Sequence, residues 1–329
     1  MTVPLSVAVW DYDRTRALFD RRVAIEACDA TYLPLMVEET FFRALRSSEF
    51  DVAELSLSSY TALTSRGACP YVAIPVFMSR MFRHSAIYVR KDSGIREPKD
   101  LIGRKVGVPE YQLTAPVWVR GILEDEYGVK PSDIRWRTGG VEEPGRHEKV
   151  AINLPADVEC EAIPVEETLN QWLVDGKIDA LVAPRAPSSY AQGHPNIARL
   201  FPDFRSVEKA YFKKTGIFPM MHVIGIRKEL VAQHPWLASS VFKAFNEAKK
   251  IAQRDLSEVA ALKTTMPWLP AEYEETVALM GQDYWPYGVH GNEKALETFL
   301  RYHHSQGLSA RQMQIGDLFV PSTMEQVKI

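Results

Sequence analysis

The sequence predicts an α/β protein whose two lobes enclose a cleft. Its 329 residues suggest two compact units, since a domain usually holds about 100–200 residues. Short β-rich runs alternate with helical patterns along the chain, which favours interleaved α/β units over segregated halves. No internal repeat and no low-complexity linker divides the chain. The absence of a linker predicts two lobes that share crossover strands.

The first part of the chain holds two strand–turn–helix patterns. LSVAV (5–9) alternates as a strand, and a helix through Leu18 follows a polar turn. DVAELSLS (51–58) predicts a second strand, and Ser58 or Ser59 is expected to cap the helix after it. Strands that lead directly into helices are typical of α/β units.

The middle of the chain repeats this pattern. IYVR (87–90) is predicted as a strand, and KVGVP (105–109) as a buried strand. Thr114 then looks like the N-cap of a helix that carries Pro116 in its first turn and stops at Gly128.

Farther on, helical patterns dominate. A helix is predicted over 169–173, followed by the strand IDALVA (178–183). The clearest helix lies within 235–254, where apolar residues recur at spacings of three and four. The pattern beyond it is helical but interrupted by prolines, and the two histidines at 303–304 are expected on a helix surface.

The composition argues against strongly charged partners. The chain is 25% charged with a formal net charge of −3, and it lacks the basic excess that favours nucleic acid or an acidic membrane. No apolar run approaches the roughly 18 residues that span a bilayer. The start, MTVPLSVAVWDYDR, does not predict a secretory signal. Three widely spaced cysteines make neither a disulfide framework nor a metal pattern, so the cytoplasm is the expected compartment.

Three strand-to-helix turns are candidate ligand contacts: WDYDRT (10–15), ELSLSSY (54–60) and PEYQLTA (109–115). Helix N-termini offer unpaired N–H groups that bind carboxylates, and strand ends gather along one sheet edge. The alternative is that these residues only cap helices. The candidate ligand-binding residues in the last two turns are Ser56, Ser58, Tyr111, Gln112 and Thr114.

Basic residues offer a second set of candidates. SRMFRHS (79–85) carries Arg80, Arg83 and His84 into the predicted strand 87–90. The planar arginine fork matches a carboxylate, although such a run is commonly a solvated loop. Arg185 follows the predicted strand 178–183 and is a cleft candidate by position.

IFPMMH (217–222) contributes His222 at the end of an apolar stretch, just before a strand-like run. A lone histidine there is more often a core residue than a catalyst. No phosphate loop, dinucleotide fingerprint, nucleophile elbow or zinc pattern is present in the sequence, which argues against nucleotide-dependent or serine-nucleophile chemistry.

Several motifs together resemble 4,5-dihydroxyphthalate decarboxylase and its relatives, which have the type II periplasmic-binding-protein fold. SRMFRHS, PEYQLTA, IFPMMH and WPYG carry the most specific part of the resemblance. The matching segments run from near the start to near the end of the chain: YDRT (12–15), FDVAELSLSSY (50–60), PVFMSRMFRHSAIYVRKDSGI (75–95), DLIGRKVGVPEYQLTAPVWVRGIL (100–123), GIFPMMHVIGIRKEL (216–230) and DYWPYG (283–288).

The resemblance implies a topology in which each lobe is a mixed sheet flanked by helices. Residues 1–87 and 223–329 would form one lobe, and residues 88–222 the other. The crossover strands would be 87–90 and 223–226. SRMFRHS and IFPMMH would then lie at the floor of the ligand cleft between the lobes.

The resemblance also implies a reaction, the loss of CO₂ from a hydroxylated aromatic dicarboxylate after protonation of a ring carbon. Arg80 and Arg83 would clamp the second carboxylate, with Arg185 and the helix at Thr114 as further contacts. His222 or His84 would donate the proton. Glu110 would accept the proton of the para phenol or orient one histidine.

Alternatives stay open at this point. The fold also suits a non-catalytic solute-binding or ligand-sensing protein for a small aromatic or carboxylate anion, and enzymes with other substrates. No organic cofactor is expected, and metal dependence is open because His84, His222 and Glu110 could converge on an ion. The partner is expected to be a small aromatic carboxylate, and the aromatic residues of WPYG would suit a contact in a homo-oligomer.

Overall fold

A computed structural model describes residues 2–325, which form two mixed β-sheets flanked by helices and so confirm the predicted α/β class. The strands, in chain order, are β1 (Val3–Ala8), β2 (Cys28–Leu33), β3 (Val52–Ser56), β4 (Tyr71–Arg80), β5 (Ile87–Arg90), β6 (Lys105–Val108), β7 (Arg135–Thr138), β8 (Cys160–Ala162), β9 (Ala180–Val182), β10 (Ile197–Arg199) and β11 (Met220–Arg227).

The strands divide between the sheets according to chain position. The first sheet has the order β2-β1-β3-β11-β4, and the second has the order β10-β5-β9-β6-β7-β8. The chain therefore leaves the first sheet after β4 and returns to it at β11. The lobe boundaries at residues 87 and 222 stay a prediction, as only the sheet membership of the strands is observed.

The helices that pack on these sheets are α1 (Asp13–Phe19), α2 (Val37–Ser47), α3 (Leu57–Ser65), α4 (Thr114–Tyr127), α5 (Leu169–Asp175), α6 (Ser188–Ala191), α7 (Phe204–Thr215), α8 (Lys228–Gln233), α9 (Leu237–Ser257), α10 (Leu269–Met280) and α11 (Glu293–Ser305). The predicted helices at 114–127, 169–173 and 235–254 correspond to α4, α5 and α9. Gly128 ends α4 with φ at 71°, a left-handed conformation that glycine adopts without steric cost.

Two predicted helix caps are wrong. The strand predicted over 51–58 is β3, which stops at Ser56. Ser56 is itself the N-cap residue of α3, so Ser58 and Ser59 lie inside that helix. Leu113 is the N-cap residue of α4, and Thr114 is its first helical residue. The hydroxyl of Thr114 is instead committed to a long-range contact described below, which local capping patterns do not reveal.

Two further expectations need correction. The alternative of a solvated loop does not apply to Arg80, which is buried as the last residue of the ten-residue strand β4. His303, expected on a helix surface, is fully buried, and its Nε2 lies 2.9 Å from the Ser58 hydroxyl oxygen. Only His304 of that pair is exposed.

The buried core joins the two sheets. Trp118 of α4 packs against Phe299 and Tyr302 of α11, with ring centroids 5.7 and 5.8 Å apart, in one apolar cluster that includes residues of both sheets. A second cluster lies under α1 and α9 on the other face of the first sheet.

Candidate active site

One edge of the first sheet gathers polar residues. β1, β3 and β4 run in the same direction and end at this edge, where the antiparallel β11 begins. In the sheet register, His222 lies opposite Ser56 on one side and Ser79 on the other. Because strand ends of one direction meet at one edge, segments distant in sequence are brought together there.

The His222 group, defined as Tyr12, Glu54 and His222, is the most constrained feature of this edge. The Tyr12 hydroxyl donates to Oε1 of Glu54 at 2.7 Å, and Nδ1 of His222 lies 2.7 Å from the same oxygen. The main-chain N–H of Trp10 donates to Glu54 Oε2 at 3.1 Å. Glu54 is fully buried and is surrounded by donors, as an ionised carboxylate requires.

The charge state of Glu54 determines the tautomer of His222. Burial raises the pKa of Glu54, but the hydrogen bonds from His222, Tyr12 and the Trp10 N–H outweigh it and hold the pKa below its usual value. An ionised carboxylate only accepts, so Nδ1 of His222 carries the proton toward Glu54. Its Nε2 makes no hydrogen bond within residues 2–325, and the side chain is 18% exposed.

The start of α4 touches this edge from the second sheet. The Thr114 hydroxyl oxygen lies 3.1 Å from the Ser56 hydroxyl and accepts the main-chain N–H of Ser58 at 3.1 Å. The Ser59 hydroxyl donates to the side chain of Gln112 at 2.9 Å. Four of the predicted contacts, Ser56, Ser58, Gln112 and Thr114, are therefore buried at one junction between the two sheets.

Glu110 adjoins this junction through the Gln112 amide, which donates to it at 2.8 Å, and it belongs to a charged cluster. It accepts Nε of Arg146 at 2.8 Å and the main-chain N–H of Lys149 at 3.2 Å, and it pairs with the Lys149 ammonium. Burial raises its pKa, but Lys149 and Arg146 outweigh this effect and lower it. Glu110 hydrogen-bonds neither predicted histidine, and it is Glu54 that holds His222.

Tyr111 and Arg185 lie apart from the His222 group. The Tyr111 ring packs under the Arg120 guanidinium at 3.6 Å and is fully buried. Arg185 is 70% exposed, with Nη1 3.6 Å from a carboxylate oxygen of Glu38 on α2. Arg146 also lies 3.6 Å from Glu38, so this carboxylate faces two cations that follow strands of the other sheet.

Arg80 is buried near the His222 edge without a carboxylate partner among the described residues. Its guanidinium donates to the carbonyls of Phe218 and Pro286, at 3.1 and 2.8 Å, and to the side-chain oxygen of Asn292 at 2.7 Å. Burial lowers its pKa to about 9, so the group keeps its charge at neutral pH. The hydrogen bonds of Arg80 hold the segments 217–222 and 285–288 against the end of β4.

Arg83 and His84 point elsewhere. The Arg83 guanidinium contacts the sulfur of Met221 at 3.3 Å, and burial lowers its pKa to about 10. The His84 ring lies 5.3 Å from the rings of Phe201 and Tyr211, and neither ring nitrogen has a hydrogen-bond partner. Burial lowers the His84 pKa to about 4, so it is neutral at pH 7.

Two known decarboxylases are similar to this chain in sequence. The 4,5-dihydroxyphthalate decarboxylase of Comamonas testosteroni is 46% identical over 325 residues, which cover 99% of this chain and 98% of that protein. The chain belongs to the 4,5-dihydroxyphthalate decarboxylase family. The decarboxylase of the same name from Pseudomonas putida is 49% identical over 209 residues, covering 64% of this chain and 81% of that protein.

Structural similarity extends the likeness to solute-binding proteins. A family model described as "ABC transporter, phosphonate, periplasmic substrate-binding protein" matches residues 29–167. The periplasmic aliphatic sulphonate binding protein SsuA of Escherichia coli superimposes with a TM-score of 0.54 at 14% identity, covering 98% of this chain and 99% of that chain. Protein AF1704 of Archaeoglobus fulgidus gives 0.52 at 14% identity, with 93% and 98% covered. At such identity the likeness shows the fold, and it confirms the predicted type II periplasmic-binding-protein class.

In this decarboxylase, sequence reasoning missed Tyr12, Arg14, Glu54 and Trp285. Each lies in a segment that carries the family resemblance, and Glu54 is a lone carboxylate inside an otherwise apolar strand. That exception to the apolar pattern was the available signal, because a buried charge requires partners.

No helix in residues 2–325 is long and apolar enough to cross a membrane. No group of three or more histidine, cysteine, aspartate or glutamate side chains is placed to hold a metal ion. His84, His222 and Glu110, whose convergence on an ion was left open, each have different neighbours.

Proposed function

We propose that this member of the family decarboxylates 4,5-dihydroxyphthalate, a hydroxylated aromatic dicarboxylate, to protocatechuate and CO₂. The observation that carries the proposal is the His222 group: a histidine at a sheet edge, with Nδ1 held by a buried carboxylate and Nε2 free to exchange a proton. Imidazole titrates near neutral pH, which suits a proton donor.

The reaction needs one proton at carbon. The hydroxyl para to the departing carboxylate donates electron density to the ring carbon that bears it, and the protonated His222 delivers its Nε2 proton to that carbon. The carbon–carboxylate bond then breaks, its electron pair restores the aromatic ring, and CO₂ leaves. Glu54 holds Nδ1 of His222 and so fixes the orientation of the ring, as the buried aspartate does in a catalytic triad.

His222 is a better candidate for the proton donor than His84. His84 is enclosed by aromatic rings and is neutral at pH 7, since burial lowers its pKa to about 4. A donor that is not protonated at working pH contributes little, because general acid catalysis requires the acid form. His84 is therefore assigned a packing role.

Positive charge near the site supports an anionic substrate. Arg80 is buried near the His222 edge and, like the more distant Arg83, pairs with no carboxylate of the described chain, so its charge is available to attract one. Arg185 and the α4 start at Thr114 would add contacts from the opposite side. Glu110, saturated with donors, would act by positioning the residues around α4.

We also propose that the protein works in the cytoplasm. Cys28, Cys69 and Cys160 are free thiols in the structure, which suits a reducing compartment. Cell fractionation with detection of the native protein tests this proposal, and recovery from a periplasmic extract would overturn it.

The first experiment is to incubate purified protein with 4,5-dihydroxyphthalate and to follow the ultraviolet spectrum and released CO₂, with and without a chelator. Turnover that survives the chelator is expected. Turnover lost on chelation would replace the metal-free mechanism by a metal-assisted one. Binding without turnover would overturn the decarboxylase assignment in favour of a binding protein.

A matched pair of variants tests the donor. His222→Asn is expected to lower kcat by about 10²- to 10⁴-fold, the usual contribution of a positioned acid. His84→Phe keeps a ring in the aromatic cage and is expected to retain kcat within about threefold. Near-normal turnover in His222→Asn would contradict the assignment, as would a large loss in a folded His84→Phe protein.

A further inference from the structure

An arginine outside the three that the sequence analysis singled out packs against the His222 group. Arg14 lies with its guanidinium carbon 3.9 Å from the centre of the Tyr12 ring and 4.5 Å from that of Trp285. The Tyr12 hydroxyl and Nδ1 of His222 both bond the same oxygen of Glu54. Arg14 is therefore connected to the proposed proton donor through the Tyr12 ring and one carboxylate oxygen.

The guanidinium of Arg14 is held firmly on one side. Its Nε donates to the carbonyl of Met78 at 2.8 Å, and Nη2 donates to the same oxygen. The Trp285 ring that covers it is itself anchored, with Nε1 donating to the carbonyl of Phe77 at 2.9 Å. An arginine fixed by a carbonyl and by ring faces presents its planar fork in one direction, which is the preorganisation that carboxylate binding needs.

Arg14 also keeps hydrogen-bonding capacity. A guanidinium has five N–H groups, and the bonds to Met78 and to the Asp13 carboxylate, at 3.0 Å, engage three of them. Asp13 is half-exposed, whereas the Arg14 side chain is only 14% exposed. One N–H on each terminal nitrogen has no partner among residues 2–325, so two donors remain for a carboxylate.

Arg80 is engaged to the same extent. Three of its N–H groups donate to Phe218, Pro286 and Asn292, and its buried Nε has no hydrogen-bond partner in the described part of the chain. Arg80 thus holds the WPYG segment in place, and through it the Trp285 ring that covers Arg14. What distinguishes Arg14 is its position against the Tyr12 ring of the His222 group.

We propose that Arg14 binds the carboxylate that stays on the ring and so makes the site specific for aromatic dicarboxylates. The inference rests on the proposed function, because it assigns a place to the second carboxylate of that substrate. The Tyr12 and Trp285 rings that flank the guanidinium add apolar surface for an aromatic acid.

Two unreactive ligands test the inference by calorimetric titration: phthalate, which carries both carboxylates, and benzoate, which carries one. Neither has the hydroxyl that drives CO₂ loss, so binding is measured without turnover. Arg14→Gln is expected to weaken phthalate binding by about 10- to 100-fold and benzoate binding by less than about threefold. Arg14→Lys, which keeps the charge but loses the fork, should fall between wild type and Arg14→Gln.

Arg16→Gln is the matched control, because Arg16 lies on the same helix, is 58% exposed and pairs with Asp11. It should bind both ligands as wild type does. Should Arg14→Gln fail to fold in thermal denaturation, Arg14→Lys carries the test alone. Unchanged phthalate affinity in the Arg14 variants, or equal losses for both ligands, would overturn the inference.

The outcomes separate this inference from the proposed reaction. Wild-type protein that decarboxylates 4,5-dihydroxyphthalate while Arg14→Gln keeps its phthalate affinity would overturn the role of Arg14 only. A selective loss of phthalate binding in Arg14→Gln, in a protein without decarboxylase activity, would support the role of Arg14 and overturn the reaction.

Discussion

Glu54 is fully buried and orients His222, the proposed proton donor. A buried carboxylate is costly unless hydrogen bonds replace its hydration, and here three donors do so. Its orientation of His222 is the kind of support that a general acid needs, because the donor must hold one tautomer and one direction. Glu54 is a positioning residue, acting through His222.

The variant Glu54→Gln tests this role. The amide keeps the shape and one acceptor, but its NH₂ group only donates, so His222 is no longer held in one tautomer. We expect kcat to fall by about 10- to 100-fold with KM changed less than about threefold, because the proposed donor loses its fixed tautomer and direction. A rise in KM as large as the fall in kcat would indicate a structural role only.

Glu54 also has a consequence for stability against pH. Its pKa is lower in the folded protein, so the folded state binds fewer protons there than the unfolded chain does. This contribution is present above the unfolded carboxyl pKa of about 4.3 and is lost as the pH falls through the folded value. As the pH is lowered from 6 into the acidic range, the free energy of unfolding should therefore fall less for Glu54→Gln than for wild type. Urea denaturation at each pH measures this difference.

At the scale of elements, helix α4 follows a strand of the second sheet and contacts the polar edge of the first sheet. Its first residue, Thr114, bonds Ser56 and Ser58 at the edge of the first sheet. Farther along, Gly121 lies directly against the ring of Tyr302 on α11, and a methyl group there would overlap the ring. Glycine at this position follows from the close approach of two helices, since its φ is not in the left-handed region.

Gly121→Ala should therefore destabilise the fold despite the higher helix propensity of alanine. Overpacking of a rigid buried ring costs about 1–3 kcal/mol, more than the roughly 1 kcal/mol that alanine contributes in a helix. Urea denaturation measures the difference. Gly316→Ala is the control, because a methyl group there meets no atom within 4 Å, and its effect should stay within about 0.5 kcal/mol. A neutral or stabilising Gly121→Ala would contradict the packing account.

At the scale of the whole molecule, charged side chains bridge elements that belong to different sheets. Glu38, on α2 beside the first sheet, faces Arg146 and Arg185, which follow strands of the second. On another side, Arg205 of α7 lies 2.6 Å from Glu272 of α10. Exposed pairs are individually weak and screened by salt, so we propose that they stabilise a closed, substrate-bound state that can reopen.

Glu38→Gln tests this bridge. Removing two exposed contacts of about 0.2–1 kcal/mol each should raise KM about two- to fivefold at low ionic strength while leaving kcat nearly unchanged. The effect should vanish at about 0.5 M salt, where the charges are screened. Glu39→Gln is the control, since Glu39 pairs within α2 with Arg43 at 2.6 Å. A KM effect that is independent of salt would refute the electrostatic bridge.

The sequence alone determined the α/β class, the family resemblance, and about half of the helices and strands. These depend on periodicity, glycine stops and strand patterns that act over a few residues. It also indicated the polar turns that meet at the sheet edge. Local patterns were less reliable for caps, as Ser58 and Thr114 show, because both side chains serve long-range contacts.

Only the tertiary structure decided which side chains face one another. His222 and Glu54 are 168 residues apart in sequence, and Arg80 and Asn292 are 212 apart. The meeting of His222 with Glu54 depends on the register of β11 against β3, since a one-residue slip would turn every side chain of the strand to the other face. That register is set by the packing of two whole apolar faces, which no local pattern in the sequence encodes.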